Sequence, residues 1–305
     1  WNFSTGHFVA ALYSGQSTPV DEDGNPVAYN FSLGGTAPVA KPVALSSVIN
    51  HRDEVEMILR RKERELANRI RTEEWRAAKL VQAAYQVGDK RSFVFAGWSE
   101  HGVPDQSIFA TAVAISERAV AFVQDDLRAD TNNIDNAGIQ QALDRFSDDF
   151  ELITDVFGAP SDIDGDGKVL LLFTHLVDDI GGAVSGFYDA FSVLPVENGG
   201  NGNNADMMFI SPTISPNPEY NDHLLVHEFQ HLINFNQHVI VRSGMGEVSW
   251  LNEGLSHLSE DLAQNGLDLV EKSFSLDQLD LFLRNPGTVG LMGDGHVVMG
   301  KRVAA

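Results

Sequence analysis

The segment HLLVHEFQHLINFN, residues 223–236, restricts the fold of this chain more than any other stretch. Histidines recur in it every fourth residue, at His223, His227 and His231, and apolar side chains fill most other positions. Side chains four residues apart share one face of an α-helix, so the spacing predicts a helix that is buried in a core and carries one polar stripe. The histidines there either make ordinary hydrogen bonds or hold a metal ion.

Part of this stripe is an HExxH motif, formed by His227, Glu228 and His231. Two imidazoles one helical turn apart can bind one zinc ion at about 2.0–2.1 Å each. Glu228 points roughly 100° away around the helix axis, where its carboxylate is poorly placed as a ligand but well placed as a general base for a metal-bound water. On its own the motif is a modest signal.

Glu253 is the candidate third ligand. It follows His231 by 22 residues, in the segment WLNEGLSHLSEDL, at the start of a second predicted helix. The intervening loop contains Gly and Ser and can fold the second helix back onto the first. Two histidines and one glutamate leave a fourth position open, which is typical of a catalytic and not of a structural zinc site.

Other polar residues near the two motifs receive weaker assignments. The helical rise places His223 about 12 Å from His231 along the axis, too far for one tetrahedral ion to contact both ends of the stripe. We therefore interpret His223 as a helix-start residue or as a partner of the ligands. Glu260 and Asp261 are typical of a solvated helix face, although Glu260 is alternatively a partner of the site.

The rest of the pattern predicts an α+β fold. Residues 136–157 have the periodicity of an amphipathic helix, which Gly158 and Pro160 end. The order strand, strand, helix, strand, strand, helix is followed only by helices, which favours a sheet and helices in separate halves. The predicted strands lie in residues 90–97, 112–126, 168–176 and 205–212.

Composition divides the chain into three segments. Residues 1–50 alternate β-favouring runs with Gly- and Pro-rich turns and predict a small β-rich N-terminal segment. Residues 51–89 are dense in Arg and Glu and predict a long charged linker helix, solvated and packed on one side, in preference to a partner-binding coiled coil. Residues 90–305 form the main domain. The apolar stripe of the linker helix recurs at a spacing of 11 residues: Val55, Leu66 and Ala77, then Leu59, Ile70 and Val81.

Charge and composition exclude several classes of protein. A formal net charge of −22 argues against nucleic acid and anionic membrane surfaces as partners. No apolar run reaches the 18 or so residues that span a bilayer. The absence of cysteine excludes disulfides, thiol nucleophiles and Cys-ligated metals. Because the sequence begins at Trp1, we expect it to be part of a longer protein.

A second candidate metal site is the segment DIDGDGK. Asp162, Asp164 and Asp166 occupy positions 1, 3 and 5 of a calcium loop, and Gly167 occupies the position of the sharp turn. Position 12, where an EF-hand has a bidentate glutamate, is Phe173, so a full EF-hand is excluded. A reduced calcium loop and an ordinary Asp/Gly turn leading into a strand both fit.

The paired segments HEFQHLINFN and WLNEGLSHLSEDL resemble the glutamate-zincins, and among them the bacterial metallopeptidases of the hyicolysin type. The resemblance covers about residues 90–300, where DIDGDGKVLLLFTHL, GGAVSGFYDAF and ADMMFISP are similar to a central strand, a flap-like loop and an edge strand. It implies a zincin-like fold, with a mixed twisted sheet, the HExxH helix and a helical lower half. It also implies that an extended peptide pairs with residues 205–212. The implied Zn²⁺ ligands are His227, His231 and Glu253, with Glu228 as catalytic acid/base.

The chain departs from the family pattern in two places. The family continues with further helices, so we expect the peptidase domain, residues 90–305, to be incomplete at its C-terminus. One turn beyond Glu253, where some zincins have an aspartate that bonds to a histidine ligand, this chain has His257. His257 would bond either to the site or to the reacting oxyanion. The candidate oxyanion donors are Tyr188, His257 and His296.

These features together predict a secreted bacterial zinc endopeptidase that acts on proteins or peptides. The alternative is a cell-surface binding or adhesion module that keeps a zincin scaffold without turnover. The intact ligand set with Glu228 beside it favours the peptidase, because a binding module has no need of a base next to the metal.

Overall fold

A computed structural model describes residues 51–72, 84–98, 102–127, 135–181, 184–212 and 218–263. The predicted β-rich segment of residues 1–50, the stripe positions Ala77 and Val81, and the candidate donor His296 lie outside the described residues. In the part of the chain that is described, no helix is both long and apolar enough to cross a membrane.

The described residues contain one mixed sheet of six strands, and its strand order is β1-β2-β3-β4-β6-β5. Strands β3, β4 and β6 are parallel to one another, whereas β1, β2 and β5 each run antiparallel to their neighbours. The strands are β1 (Lys90–Phe95), β2 (Gln106–Ile115), β3 (Ala119–Gln124), β4 (Val169–Phe173), β5 (Gly186–Tyr188) and β6 (Met207–Ile210).

The edge of this sheet differs from the prediction. The sequence assigns the edge to residues 205–212, but β6 lies inside the sheet between β4 and β5. Strand β5 pairs antiparallel with β6, with Gly186 opposite Ile210 and Tyr188 opposite Met208, and forms the edge itself. Because β5 has only three residues inside a Gly-rich segment, it gives almost no alternating pattern to detect.

In the part of the chain that the structure describes, five α-helices surround the sheet: α1 (His51–Thr72), α2 (Asn136–Phe157), α3 (Leu176–Ile180), α4 (Pro218–Phe235) and α5 (Ser249–Ala263). A π-helical turn, Asn236–Val241, continues α4, and two 3₁₀ turns, Ala190–Ser192 and Val196–Asn198, follow β5. The structure confirms the predicted helices at α2 and α5 and the α+β class. The short helix α3 and the π-helical turn were not predicted.

Helix α2 shows why the sequence folds as it does next to the site. Asp135 caps its first turn by accepting a hydrogen bond from the amide of Ala137, and Gly158 ends it with a φ of +102°. That backbone angle strongly favours glycine, and a methyl group there would also meet the side chain of Gln237. The apolar stripe of α2 then packs on α4, which carries the HExxH motif.

Two hydrophobic clusters cover the two faces of the sheet. One includes α2 and α4, and in it Phe229 of α4 stacks on Phe150 at 4.9 Å and meets Phe146 edge-on at 5.1 Å between ring centroids. Phe229 directly follows Glu228, so these ring contacts fix the rotation of α4 and with it the direction in which the motif points.

Helix α1 belongs to both clusters. Val55 and Leu59 pack with the cluster on one face of the sheet, and Leu66 and Ile70 pack with the other. Arg60 and Glu63 are also buried, at 2% and 3% exposure. Residues 51–72 are therefore not a solvated connecting helix, because two charged side chains of this helix lie in the interior. Residues 84–89, inside the predicted linker helix, are not helical.

We predict that Phe229→Ala lowers the free energy of unfolding by about 3–5 kcal/mol, because it removes a fully buried ring and leaves a cavity between α2 and α4. Chemical denaturation measures the loss. Phe109→Ala is the matched control, since the side chain of Phe109 is 67% exposed. Equal losses in the two variants would contradict the packing described for α4.

Candidate metal centre

Helix α4 brings His227 and His231 together on one face, as the spacing predicts. Their Nε2 atoms lie 3.2 Å apart, and both side chains are buried. Glu253 reaches the same point from α5, and its Oε2 lies 3.5 Å from each Nε2 atom. Three ligand atoms of the types that zinc prefers therefore converge from two helices.

The three ligand atoms, His227 Nε2, His231 Nε2 and Glu253 Oε2, form a triangle whose size suits one zinc ion. Ligands held at about 2.0–2.1 Å in a tetrahedral site lie about 3.3–3.4 Å from one another. The three separations, 3.2, 3.5 and 3.5 Å, bracket that value. The residues present therefore fit a tetrahedral metal ion without a change of side-chain conformation.

Hydrogen bonds to the other ring nitrogens set the histidine tautomers. His227 Nδ1 lies 2.5 Å from Glu260 Oε1, and His231 Nδ1 lies 2.8 Å from Asn252 Oδ1. Both partners are acceptors, so each Nδ1 carries the proton and each Nε2 presents a lone pair to the triangle. Among the described residues, none donates a hydrogen bond to either oxygen of Glu253. Three electron-pair donors thus face each other in the interior, an arrangement that a cation stabilises.

The electrostatics of the pocket favour positive charge. Burial alone would lower the pKa of His227, but the neighbouring carboxylates of Glu253 and Glu260 raise it to about 10. Burial alone would raise the pKa of Glu253, but the adjoining side chains of His231, His227 and Arg60 hold it well below its usual range. A divalent cation bound by the three ligand atoms would supply the positive charge that the pocket favours.

Close packing of α5 on α4 depends on small polar residues. Ser256 Oγ donates to Gln230 Oε1 at 2.7 Å, and Ser259 Oγ donates to the carbonyl of Val226 at 2.9 Å. Serine side chains at these positions allow the helices to approach and bond to each other. Glu253 is carried on the same helix, so these contacts hold its carboxylate over the two histidines.

Glu228 is held by the edge strand. The backbone amide of Tyr188, the last residue of β5, donates to Glu228 Oε2 at 2.8 Å. This bond fixes one carboxylate oxygen and ties β5 to α4. Glu228 is placed beside the two histidines by the helix and outside the triangle, as the motif predicts for a base.

The remaining candidates occupy different places. His257 Nδ1 lies 2.9 Å from Glu260 Oε1, the oxygen that also meets His227. Glu260 therefore belongs to the site and not to a solvated face.

Tyr188 has a buried hydroxyl with no hydrogen-bond partner among the described residues, and burial raises its pKa well above the usual value. His223 lies five residues after the start of α4, so it is not a helix-start residue.

His227, His257 and Glu260 form a second group of nearby ligand atoms. Its distances of 2.5 and 2.9 Å are those of hydrogen bonds from two protonated ring nitrogens to one carboxylate oxygen. The His257 and His227 charges hold the pKa of Glu260 well below its usual range, although burial alone would raise it. These groups satisfy one another, whereas Glu253 lacks such partners, so the triangle with Glu253 is the better metal site.

The acidic loop of residues 162–168 also gathers its carboxylates. Asp162, Asp164 and Asp166 lie close enough to share an ion. Asp162 Oδ1 accepts from the amide of Gly167 at 2.8 Å, a bond that closes the loop. Asp164 is only 3% exposed, and neither of its carboxylate oxygens has a hydrogen-bond partner within the described part of the chain. Burial, with the charges of Asp166 and Asp206, raises the pKa of Asp164 to about 7.

Three residues next to the triangle were not predicted from the sequence. Asn252 directly precedes Glu253 and orients His231, and its side-chain amide lies 3.5 Å from Glu63 Oε1. Arg60 and Glu63 come from α1, far away in sequence, and Arg60 Nε lies 3.6 Å from Glu253 Oε1. Asn252 was within reach of sequence reasoning, because it adjoins a ligand. No local signal marked the other two.

We predict that Asn252→Ala weakens Zn²⁺ binding about 10–100-fold, because His231 loses the acceptor that fixes its tautomer. Competition against a chromogenic chelator measures the affinity. Asn136→Ala, an exposed position at the start of α2, is the matched control. Unchanged affinity in Asn252→Ala would contradict the orienting role of Asn252.

Comparisons with known proteins give a partial match. No family model matches the chain. The Neutral metalloprotease ShpI of Staphylococcus hyicus is 29% identical over 122 residues, which cover 36% of this chain. The match spans 27% of the length of that relative, so most of the relative lies outside the matched region. The chain is similar to a metalloprotease over about a third of its length.

Proposed function

We propose that this chain is a zinc-dependent peptidase that hydrolyses peptide bonds in proteins with Glu228 as general base. The observation that carries the proposal is the triangle of His227, His231 and Glu253 ligand atoms, whose separations suit one tetrahedral ion. A His₂Glu donor set with an open fourth position is the ligand set of catalytic zinc in peptidases.

The comparison supports the same class of reaction. The relative is named as a metalloprotease, and the partial similarity to it is a further reason to expect a metal and protein substrates. We further propose that the protein is a bacterial peptidase of the hyicolysin type that acts outside the cell. The resemblance of the two motif segments to that family supports this.

In the proposed reaction His227, His231 and Glu253 would hold the zinc ion. Bound zinc would polarise the scissile carbonyl and acidify a water molecule. Glu228 would take the proton of that water during attack and then deliver it to the departing amine. The Tyr188 amide holds Glu228 Oε2, which leaves Oε1 as the oxygen that exchanges the proton.

Other residues of the chain orient this machinery. Glu260 and Asn252 fix the two histidine rings, and His257 donates to Glu260 from the far side. Tyr188 and His257 stay the candidate donors to the oxyanion. Because the Tyr188 hydroxyl is protonated and lacks a partner, it has a hydrogen bond to give once a substrate is bound.

The alternative, a binding or adhesion module on the same scaffold, makes no use of Glu228. In such a module the carboxylate beside the ligands would need no anchoring, yet the edge strand holds it by a backbone amide. Hydrolysis of casein that a chelator abolishes and zinc restores separates the two functions.

We predict that Glu228→Gln lowers kcat at least about 100-fold, because the amide cannot accept the proton of the attacking water, while zinc affinity stays near that of the parent. Casein or peptide hydrolysis and zinc content by atomic absorption are measured on the same samples. Glu151→Gln, on the exposed face of α2, is the matched control. A Glu228→Gln protein that retains the parent rate would overturn the assignment of the base.

We also propose that the acidic loop binds calcium as a structural ion. Asp164 supports this, because it is buried with both carboxylate oxygens unpartnered beside two further carboxylates. Lys168, the nearest cation in the loop sequence, donates its ammonium to the carbonyls of Ser116 and Glu117 instead. Asp206 adds a fourth negative charge nearby. Oxygen ligands of this kind suit Ca²⁺ better than zinc.

We predict that Ca²⁺ at about 100 times its Kd stabilises the parent by about 2.7 kcal/mol and leaves Asp164→Asn unchanged. Without calcium the variant is at least as stable as the parent, because one of the repelling buried charges is gone. Thermal unfolding with and without Ca²⁺ measures both effects. Asp155→Asn, at an exposed position of α2, is the matched control and keeps the calcium response. A parent that shows no calcium response would contradict the site.

A further inference from the structure

The proposed metal centre is closed to solvent. His227, His231 and Glu253 are 2%, 2% and 1% exposed, and Glu228 is 5% exposed. A peptidase must bring a carbonyl of an extended polypeptide to these groups. In this structure the four side chains expose almost no surface to such a chain, so the elements that pack against them cover the approach that a substrate needs.

Helix α1 brings its two buried charged side chains to this position. Arg60 Nη1 bonds to Glu63 Oε2 at 2.9 Å within the helix. Arg60 Nε then lies 3.6 Å from Glu253 Oε1, and Glu63 Oε1 lies 3.5 Å from the side-chain amide of Asn252. The pair therefore touches a ligand and the residue that orients another ligand.

The path of α1 crosses the free edge of the sheet. Its N-terminal half packs with one sheet face and its C-terminal half with the other, so the helix passes the β5 end of the sheet. The Lys62 ammonium lies 4.6 Å from the ring centroid of Trp98, which packs against Phe187 of β5. Arg69 lies over Phe191, in the turn that follows β5. Among the described residues β5 has no strand on its outer side.

We propose that helix α1, His51–Thr72, is an inhibitory plug that occupies the substrate cleft of the metal centre and must leave before a polypeptide can bind. The inference rests on the proposed function, because it names the regulation of the same site. The plug binds as an amphipathic helix in a groove, with apolar anchors on both sides of a central ion pair. Those anchors are Val55, Ile58 and Leu59 on one side and Leu66, Ala67 and Ile70 on the other.

The internal pairing of the two charges suits a removable element. If one partner of a buried ion pair is removed, the folded state is destabilised by several kcal/mol, because the other charge stays buried without a partner. Arg60 and Glu63 are neighbours on the same helix and carry their pairing with them. When α1 leaves, Glu253 loses a nearby cation and becomes free to hold a metal ion, so no charge of the site depends on α1 once metal is bound.

The test uses the full chain loaded with Co²⁺, whose absorption spectrum changes when a peptide hydroxamate binds the metal. Arg60→Glu places a negative charge against Glu63, Glu253 and Glu228 and should drive α1 out of the cleft. We expect hydroxamate affinity and the rate of peptide hydrolysis to rise at least 10-fold. Arg61→Glu changes the neighbouring exposed side chain in the same way and should match the parent.

A second variant releases α1 without changing the site. A recognition sequence for a specific protease is inserted within residues 73–83, between α1 and the first strand, and the folded protein is cut there. We expect hydroxamate binding to appear after cleavage and removal of residues 1–72, and the synthetic peptide of residues 51–72 to abolish it again.

The outcomes separate this inference from the proposed function. Equal hydroxamate affinity before and after cleavage, or loss of cobalt when α1 is removed, overturns the plug. Hydroxamate binding that appears on cleavage without any peptide hydrolysis supports the plug and overturns the peptidase. Hydrolysis at the same rate in the parent, Arg60→Glu and the cut protein overturns the plug and supports the peptidase.

Discussion

The convergence of three electron-pair donors in a buried pocket is the constraint on which the rest of the site depends. Two imidazole nitrogens and a carboxylate oxygen lie 3.2–3.5 Å apart, and when both rings are neutral their lone pairs repel one another until a proton or a metal ion joins them. The protein maintains this arrangement by satisfying the opposite side of each ring, with Glu260 on His227 and Asn252 on His231. The orientation of the ligands is therefore set before any ion binds.

Three separate elements deliver the parts of this site, and each is held by a different kind of contact. Helix α4 is fixed by the aromatic stack of Phe229 on Phe150. Helix α5 is fixed to α4 by serine hydrogen bonds, which keep Glu253 over the histidines. Strand β5 is fixed to α4 through the Tyr188 amide and Glu228. Apolar packing sets the positions of the helices, and hydrogen bonds set the directions of the side chains.

What the sequence predicted correctly was mostly local. The helical period marked α2 and α5, and spacing alone indicated that His227 and His231 share a face. The meeting of Glu253 with the two histidines was also predicted, across 22 residues. The contacts that α1 makes with this group were not predicted. Arg60 and Glu63 stand in a run of Arg and Glu that is equally typical of a solvated helix, and nothing within that run distinguishes the two buried charges from their exposed neighbours. Strand β5 was missed because three residues carry no period, and the edge strand that the family resemblance implied, residues 205–212, lies inside the sheet.

The same negative pocket can be neutralised in two ways, which would couple the proposed plug α1 to the proposed metal. In this structure the cation beside Glu253 is Arg60, at 3.6 Å. A divalent ion on the triangle would supply more positive charge to the same carboxylate and would repel the guanidinium at short range. Thermodynamic linkage makes this effect reciprocal. If metal binding weakens the binding of α1 in the cleft, release of α1 raises the affinity for the metal by the same factor. A chain with this arrangement would keep its cleft closed while metal is scarce and open it more readily once the ion is bound.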